Sequence, residues 1–180
     1  MRKKDYELYM DIACRVAQQS TAVRLKVGAV LVKGTNILCY GYNGQPPGWD
    51  NVCENEVDGV LVSKPTVLHA EKNILRKMTN SHDTIEGSTL FITHNPCPVC
   101  SADFIGLGLE RLVYKDAYRD SSGIMALSKD GVDVVQYDEL IRRIDDEQPK
   151  AEPCPECGAD LKCALGGGVK CTKCSYWFCF

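Results

Sequence analysis

No run in this 180-residue chain approaches the ~20 apolar residues that a membrane span requires. No apolar stretch follows the basic start Met1-Arg2-Lys3-Lys4, as a secretory signal would need. A basic excess is missing too: 21 Lys and Arg against 24 Asp and Glu leave a formal charge of −3. That balance argues against a general electrostatic grip on nucleic acid. The main part of the chain has no internal repeat. Cysteine, by contrast, is abundant, with eleven in the chain. A disulfide scaffold is not the reading, because Cys97/Cys100, Cys154/Cys157 and Cys171/Cys174 form Cys-x-x-Cys pairs. Such pairs without a secretory signal read as metal ligands in a reducing compartment, here the cytoplasm.

Apolar spacing predicts an amphipathic helix over 5–19, carried by Leu8, Tyr9, Ile12, Ala13 and Val16. Strands over 27–32 and 37–42 flank Lys33-Gly34-Thr35-Asn36 and read as a hairpin. A long polar loop rich in Gly and Pro is expected from there to about residue 65. Helices follow over 67–78, 98–107, 122–128 and 137–145, interleaved with strands over 89–93, 111–114 and 132–135. This alternation predicts an α/β layered domain over 1–146, with helices on both faces of one sheet. A charged, proline-bounded linker over 147–153 separates it from a small module over 154–180.

The chemistry sits in His69-Ala70-Glu71 and Pro96-Cys97-Pro98-Val99-Cys100. One imidazole and two thiolates make three zinc ligands, and three protein ligands with an open fourth position mark a catalytic rather than a structural zinc. Cys97 and Cys100 fall where a strand gives way to a helix, so outward N–H groups favour the thiolates. Glu71 remains free to take a proton from water, pass it to a ring nitrogen and protonate departing ammonia. His-x-Glu with a distant Pro-Cys-x-x-Cys is the pattern of zinc-dependent nucleobase deaminases. A closed site completed by His94 or Cys53 is the competing arrangement, and it would leave Glu71 without a purpose.

With these residues the chain resembles the deoxycytidylate (dCMP) deaminases of the cytidine deaminase-like superfamily, over about residues 4–137. Beyond the zinc motif the resemblance rests on Ser20, Arg24, Val27-Gly28-Ala29-Val30 and Gly41-Tyr42-Asn43-Gly44-Gln45-Pro46-Pro47-Gly48. Asn51-x-Cys53, Asn73 and Tyr118-Arg119-Asp120 extend it. It implies a three-layer α-β-α fold with a mixed central sheet of about five strands, and the conversion of dCMP to dUMP and ammonia for thymidylate synthesis. It further implies that Asn43 contacts sugar or base, that the Ala70 backbone fixes the pyrimidine, and that Arg24, Tyr118 and Arg119 hold the 5′-phosphate.

The same resemblance implies a homo-oligomer, often a hexamer, activated by dCTP and inhibited by dTTP, with Mg2+ accompanying the bound triphosphate. It puts the effector site in the loop carrying Tyr42 and Gly44. Compact enzymes of this kind suit viral nucleotide supply, which would place the chain in a host cytoplasm. Some viral relatives hold a second zinc inside the core. Cys53 matches their Asn-x-Cys, but Val67 stands where a carboxylate ligand would lie, which speaks against that internal site.

The C-terminal module lies outside the resemblance. Cys154, Cys157, Cys171 and Cys174 have the spacing of a closed tetrahedral zinc in a ribbon, with Gly166-Gly167-Gly168 as its turn. Lys162, Lys170 and Lys173 offset the thiolate charge, while Tyr176, Trp177 and Phe178 cover the small core. Cys163 and Cys179 are spare thiols, either of which could replace one of the four ligands. Two other functions compete with dCMP deamination. A deaminase of tRNA or single strands needs a basic groove, which this composition does not supply. A non-enzymatic nucleotide-binding regulatory module has no use for Glu71.

Overall fold

The computed structural model describes residues 1–147, 153–159, 161–163, 169–174 and 176–178. Most of the expected linker, the Gly166–Gly168 turn, Cys179 and the side chains of Lys162, Cys163 and Phe178 lie outside the described residues. The chain divides into two compact units, Met1–Ile141 and Arg142–Phe180.

The first unit opens with α1 (Lys3–Ala17), which buries Tyr6, Tyr9, Met10, Ala13, Val16 and Ala17 along one face. Next come the hairpin strands β1 (Gly28–Lys33) and β2 (Asn36–Tyr42), then β3 (Glu54–Val57) and β4 (Val60–Ser63). The remaining elements are α2 (Ala70–Met78), β5 (Thr89–His94), α3 (Pro98–Ala102), β6 (Arg111–Asp116), α4 (Ser122–Lys129), β7 (Asp133–Gln136) and α5 (Tyr137–Glu147). Five strands form one mixed sheet in the order β2-β1-β5-β6-β7. β1 is antiparallel to both neighbours, whereas β5, β6 and β7 run parallel. Helices α3 and α4 make the crossovers that parallel pairing requires.

Strand alternation sorts the core into two layers. Ala29, Leu31, Leu90, Ile92 and Leu112 pack with Ala70, Ile74, Phe104 and Leu127 on one face. On the other, Phe91 meets the rings of Tyr6 and Tyr9 from α1, at centroid distances of 6.0 and 5.3 Å. Each fully buried Leu, Ile or Phe contributes roughly 1.5–3 kcal/mol. Helices therefore cover both faces of a five-stranded mixed sheet, the α-β-α arrangement expected. Among the described residues no helix is long and apolar enough to cross a membrane.

Three local expectations are corrected. The polar loop after β2 contains the hairpin β3–β4, turned at Asp58-Gly59 with φ of 52° and 76°; such a turn matches the right-handed twist of the strands. Helix α2 begins at Ala70 rather than 67, with His69 as its N-cap. Helix α3 stops at Ala102 rather than 107, and Gly106 and Gly108 beyond it adopt φ of 77° and 71°, which no α-helix accommodates.

The second unit holds a three-stranded antiparallel sheet in the order β10-β9-β8, from β8 (Leu161–Cys163), β9 (Val169–Cys171) and β10 (Trp177–Phe178).

Candidate active site

Two helix starts bring together the three candidate metal donors. His69 is the N-cap of α2 and Cys97 the N-cap of α3, where Pro98 occupies the first turn at no cost in hydrogen bonds. One turn into α3, Cys100 points back to the same place. His69 Nδ1 lies 3.3 Å from Cys100 Sγ and 3.7 Å from Cys97 Sγ, and the three donor atoms all fall within 4.8 Å of one another. Ideal zinc bond lengths and a tetrahedral angle give a nitrogen-to-sulfur separation of about 3.6 Å. The donor set fits zinc. Burial, with Glu71 and Cys97 adding to it, pushes the Cys100 thiol far up, so thiolates here need a cation among them. His94 does not close the set: its Nε2 lies 3.9 Å from Asp116 Oδ2. Cys53 is buried beside the Thr21 hydroxyl, at 3.4 Å. Neither belongs to the cluster.

Glu71, in the first turn of α2, is 3% exposed. Burial raises its carboxyl above the usual range, while its own backbone N–H, His69 and Cys100 pull the other way. A carboxyl raised in this way holds a proton more readily than an exposed one, which suits a group that must both accept and deliver protons. Above it opens a cavity of about 200 Å³, lined by His69, Ala70, Glu71, Cys97, Asn43 and Tyr118 among others. Ala70 thus reaches the cavity directly.

Other expected residues are placed as follows. Asn43 lines the cavity, but its amide braces the preceding loop: Oδ1 accepts the Val27 N–H and Nδ2 donates to the Leu25 carbonyl, both at 2.8 Å. Arg24 donates to Ser63 Oγ at 3.2 Å and is not among the lining residues. Arg119 is also outside the lining and donates to the Tyr118 hydroxyl at 2.9 Å. Gly44 and Leu68 exchange backbone hydrogen bonds of 3.0 and 2.9 Å, one residue before His69. Tyr42 offers its carbonyl to Asn73 Nδ2 at 2.7 Å.

Sequence reasoning missed four contributors. Asn95 is buried at the cavity wall, where Oδ1 accepts the Tyr118 N–H and Nδ2 donates to the Asp120 carbonyl at 3.1 Å. Gly123 lets α4 approach the metal loop, for a Cβ there would lie 2.5 Å from Ser101 Oγ and 3.0 Å from the Cys97 carbonyl carbon. Ser63 and Lys64 also line the cavity, at the end of β4. The Asp58-Gly59 turn marks where their hairpin reverses, but it carries no signal of proximity to His69.

In the second unit, Cys154 and Cys174 sulfurs lie 3.6 Å apart and those of Cys157 and Cys171 3.5 Å. Four thiolates around tetrahedral zinc stand about 3.8 Å apart, so this set also fits the ion. The N–H groups of Cys174 and Lys173 donate to Cys171 Sγ at 3.2 and 3.3 Å and draw its thiol down to about 6.

Comparison with known proteins agrees with this geometry. A solved dCMP deaminase from the cyanophage S-TIM5, in complex with dCMP and dUMP, is 44% identical with a TM-score of 0.72, covering 76% of this chain and 98% of that one. The deoxycytidylate deaminase of Mycobacterium phage D29 is 33% identical over 126 residues, 63% of this chain and 97% of the relative. That of Enterobacteria phage T4 is 29% identical over 147 residues, 61% of this chain and 76% of the relative. Residues 3–116 match the cytidine and deoxycytidylate deaminase zinc-binding region. That stretch contains both helix starts, Glu71 and all three donors, and the chain belongs to this zinc-binding deaminase family.

Proposed function

We propose that this chain is a zinc-dependent enzyme that deaminates dCMP, taking up water and releasing dUMP and ammonia. The observation that carries the reading is a buried carboxylate, Glu71, beside a three-donor metal set, both lining one cavity of about 200 Å³. The 44% identity to a dCMP deaminase solved with dCMP and dUMP supports the choice of substrate.

His69, Cys97 and Cys100 hold the zinc, which when bound supplies Lewis acidity and brings water towards a pKa of ~7. Glu71 accepts one water proton and hands it to the pyrimidine ring nitrogen as hydroxide adds to the ring carbon, then takes the second proton from that new hydroxyl and gives it to the amine as the C–N bond breaks and the carbonyl forms. Its burial keeps bulk water from competing for that proton. Asn43 fixes the cavity wall formed by Leu25 and Val27, and Tyr118, tied down by Asn95, forms part of the wall.

Regulation by dCTP and dTTP is part of this proposal. The paired Gly44–Leu68 hydrogen bonds support it, because they join the Tyr42–Gly44 loop to the residue preceding His69. The two triphosphates must prefer different conformations, since equal affinity for both states shifts nothing. We also propose a homo-oligomer and a structural zinc held by Cys154, Cys157, Cys171 and Cys174.

Turnover of dCMP, CMP, dCTP, deoxycytidine and single-stranded oligonucleotides, each with and without dCTP and dTTP, tests the reading. It expects dCMP to react best and its rate to rise with dCTP and fall with dTTP. Reaction of oligonucleotides alone would overturn the assignment, and a flat response to the triphosphates would remove the regulation.

A further inference from the structure

We propose a second binding function, carried by the second unit: one face of its three-stranded sheet holds a single-stranded nucleic acid. The face is built along one row of the register. Trp177 of β10 stands directly opposite Lys170 of β9, which in turn stands opposite Lys162 of β8. Residues directly opposite share a face of an antiparallel sheet, so the indole of Trp177 and the ammonium of Lys170 belong to the same surface.

Trp177 departs from the role expected of it. Covering a small zinc-bound core would bury the ring, yet Trp177 is 56% exposed. Among the described residues no other ring packs on it and no cation sits over it. Lys170 and Lys173 are exposed as well, and neither is ion-paired with a described carboxylate. The thiolate cluster fixes both sides of this surface. The Tyr176 carbonyl accepts the Cys171 N–H at 2.9 Å, which anchors β10 just before Trp177, and the Lys173 N–H donates to Cys171 Sγ at 3.3 Å.

A fixed, exposed ring flanked by cations fits a ligand that offers flat apolar faces and negative charges in alternation. A single strand does so: its unpaired bases stack on aromatic rings and its phosphates meet lysines. A duplex hides its bases in the stack, and an acidic peptide brings charge without a flat face. The net charge of −3 speaks against a chain-wide grip but leaves room for a local one. So small a surface should bind weakly, with a Kd of roughly 10⁻⁴ to 10⁻⁶ M, as non-specific contacts do. This partner is bound, not deaminated.

The zinc-loaded full chain tests it. Its tryptophans are Trp49 and Trp177, so Trp49→Phe leaves Trp177 as the one indole reporter. Oligo-dT at low salt should quench that emission, and labelled oligo-dT should bind the wild type by fluorescence anisotropy. Trp177→Ala should weaken binding about 5- to 150-fold, and Trp177→Phe should recover part of it. Lys170→Gln and Lys173→Gln should each flatten the slope of log K against log salt by about 0.7, the mark of one lost phosphate contact on a single strand. Zinc content should stay at the wild-type level in every variant, which separates a lost contact from a lost fold. No quenching, unchanged binding in Trp177→Ala, or a duplex bound as tightly as the single strand would overturn the proposal. Poly-glutamate bound as tightly as oligo-dT would overturn it too, marking the face as a surface for acidic proteins.

Discussion

Gly41 on β2 packs so closely on the start of α2 that a Cβ at Gly41 would lie 2.4 Å from the Ala70 carbonyl oxygen. Ala70 stands between His69, one of the three clustered metal donors, and Glu71, so this glycine sets how near the start of α2 comes to the sheet.

Gly41→Ala should therefore cost about 1–3 kcal/mol by overpacking, read as a drop in Tm of roughly 2–4 °C per kcal/mol for a chain of this size. Its kcat on dCMP should fall well beyond what the remaining folded fraction explains. Gly34→Ala is the control. Gly34 turns the β1–β2 hairpin at φ +62° with open space around it, so only backbone strain of about 1 kcal/mol is expected there. Equal effects of the two substitutions on kcat would contradict the role given to the Gly41–Ala70 contact.

Asn95→Ala should raise KM for dCMP more than it lowers kcat. The asparagine ties the backbones of Tyr118 and Asp120 together, and Tyr118 lines the cavity. Losing both bonds in a buried position costs about 1–3 kcal/mol. Steady-state kinetics would show it, and an unchanged KM would count against the Tyr118 segment as part of the substrate site.

The two metal-binding clusters should be separable. Cys100→Ala is expected to lose the zinc of the first cluster together with all deamination. Cys174→Ala is expected to lose the zinc of the second cluster and to make residues after 147 the first cut by protease, because so small a unit builds no core without metal. Metal analysis of the purified variants checks both statements. Retention of full zinc by Cys174→Ala would contradict the four-thiolate site.

The donor cluster was legible in the sequence because metal spacing is local: His69 with Glu71, and Cys97 with Cys100, each lie within one helical turn, and the fold brings the three donors together. Apolar periodicity likewise sufficed for the main sheet and its covering helices. The walls of the cavity were legible only in part: Asn43, Ala70 and Tyr118 were expected there and do line it. Lys64 and Asn95 belong to no short pattern, and only the folded chain brings them to His69. Asn43 shows the converse, since the motif containing it was recognised, while its amide turns out to bond the backbone at Leu25 and Val27. The β3–β4 hairpin was hidden by its surroundings: a clear Asp58-Gly59 turn lies between strands whose side chains are mostly exposed, so no buried alternation announces it.

The central claim is that Glu71 moves protons beside a zinc open to substrate. Dual measurement of dUMP formation from dCMP and of zinc content, in wild type and Glu71→Gln, tests it most directly. The account predicts full zinc in the variant and a rate at least ~100-fold lower, the minimum expected for losing a general acid–base. A zinc-replete Glu71→Gln enzyme turning over dCMP at the wild-type rate would contradict it.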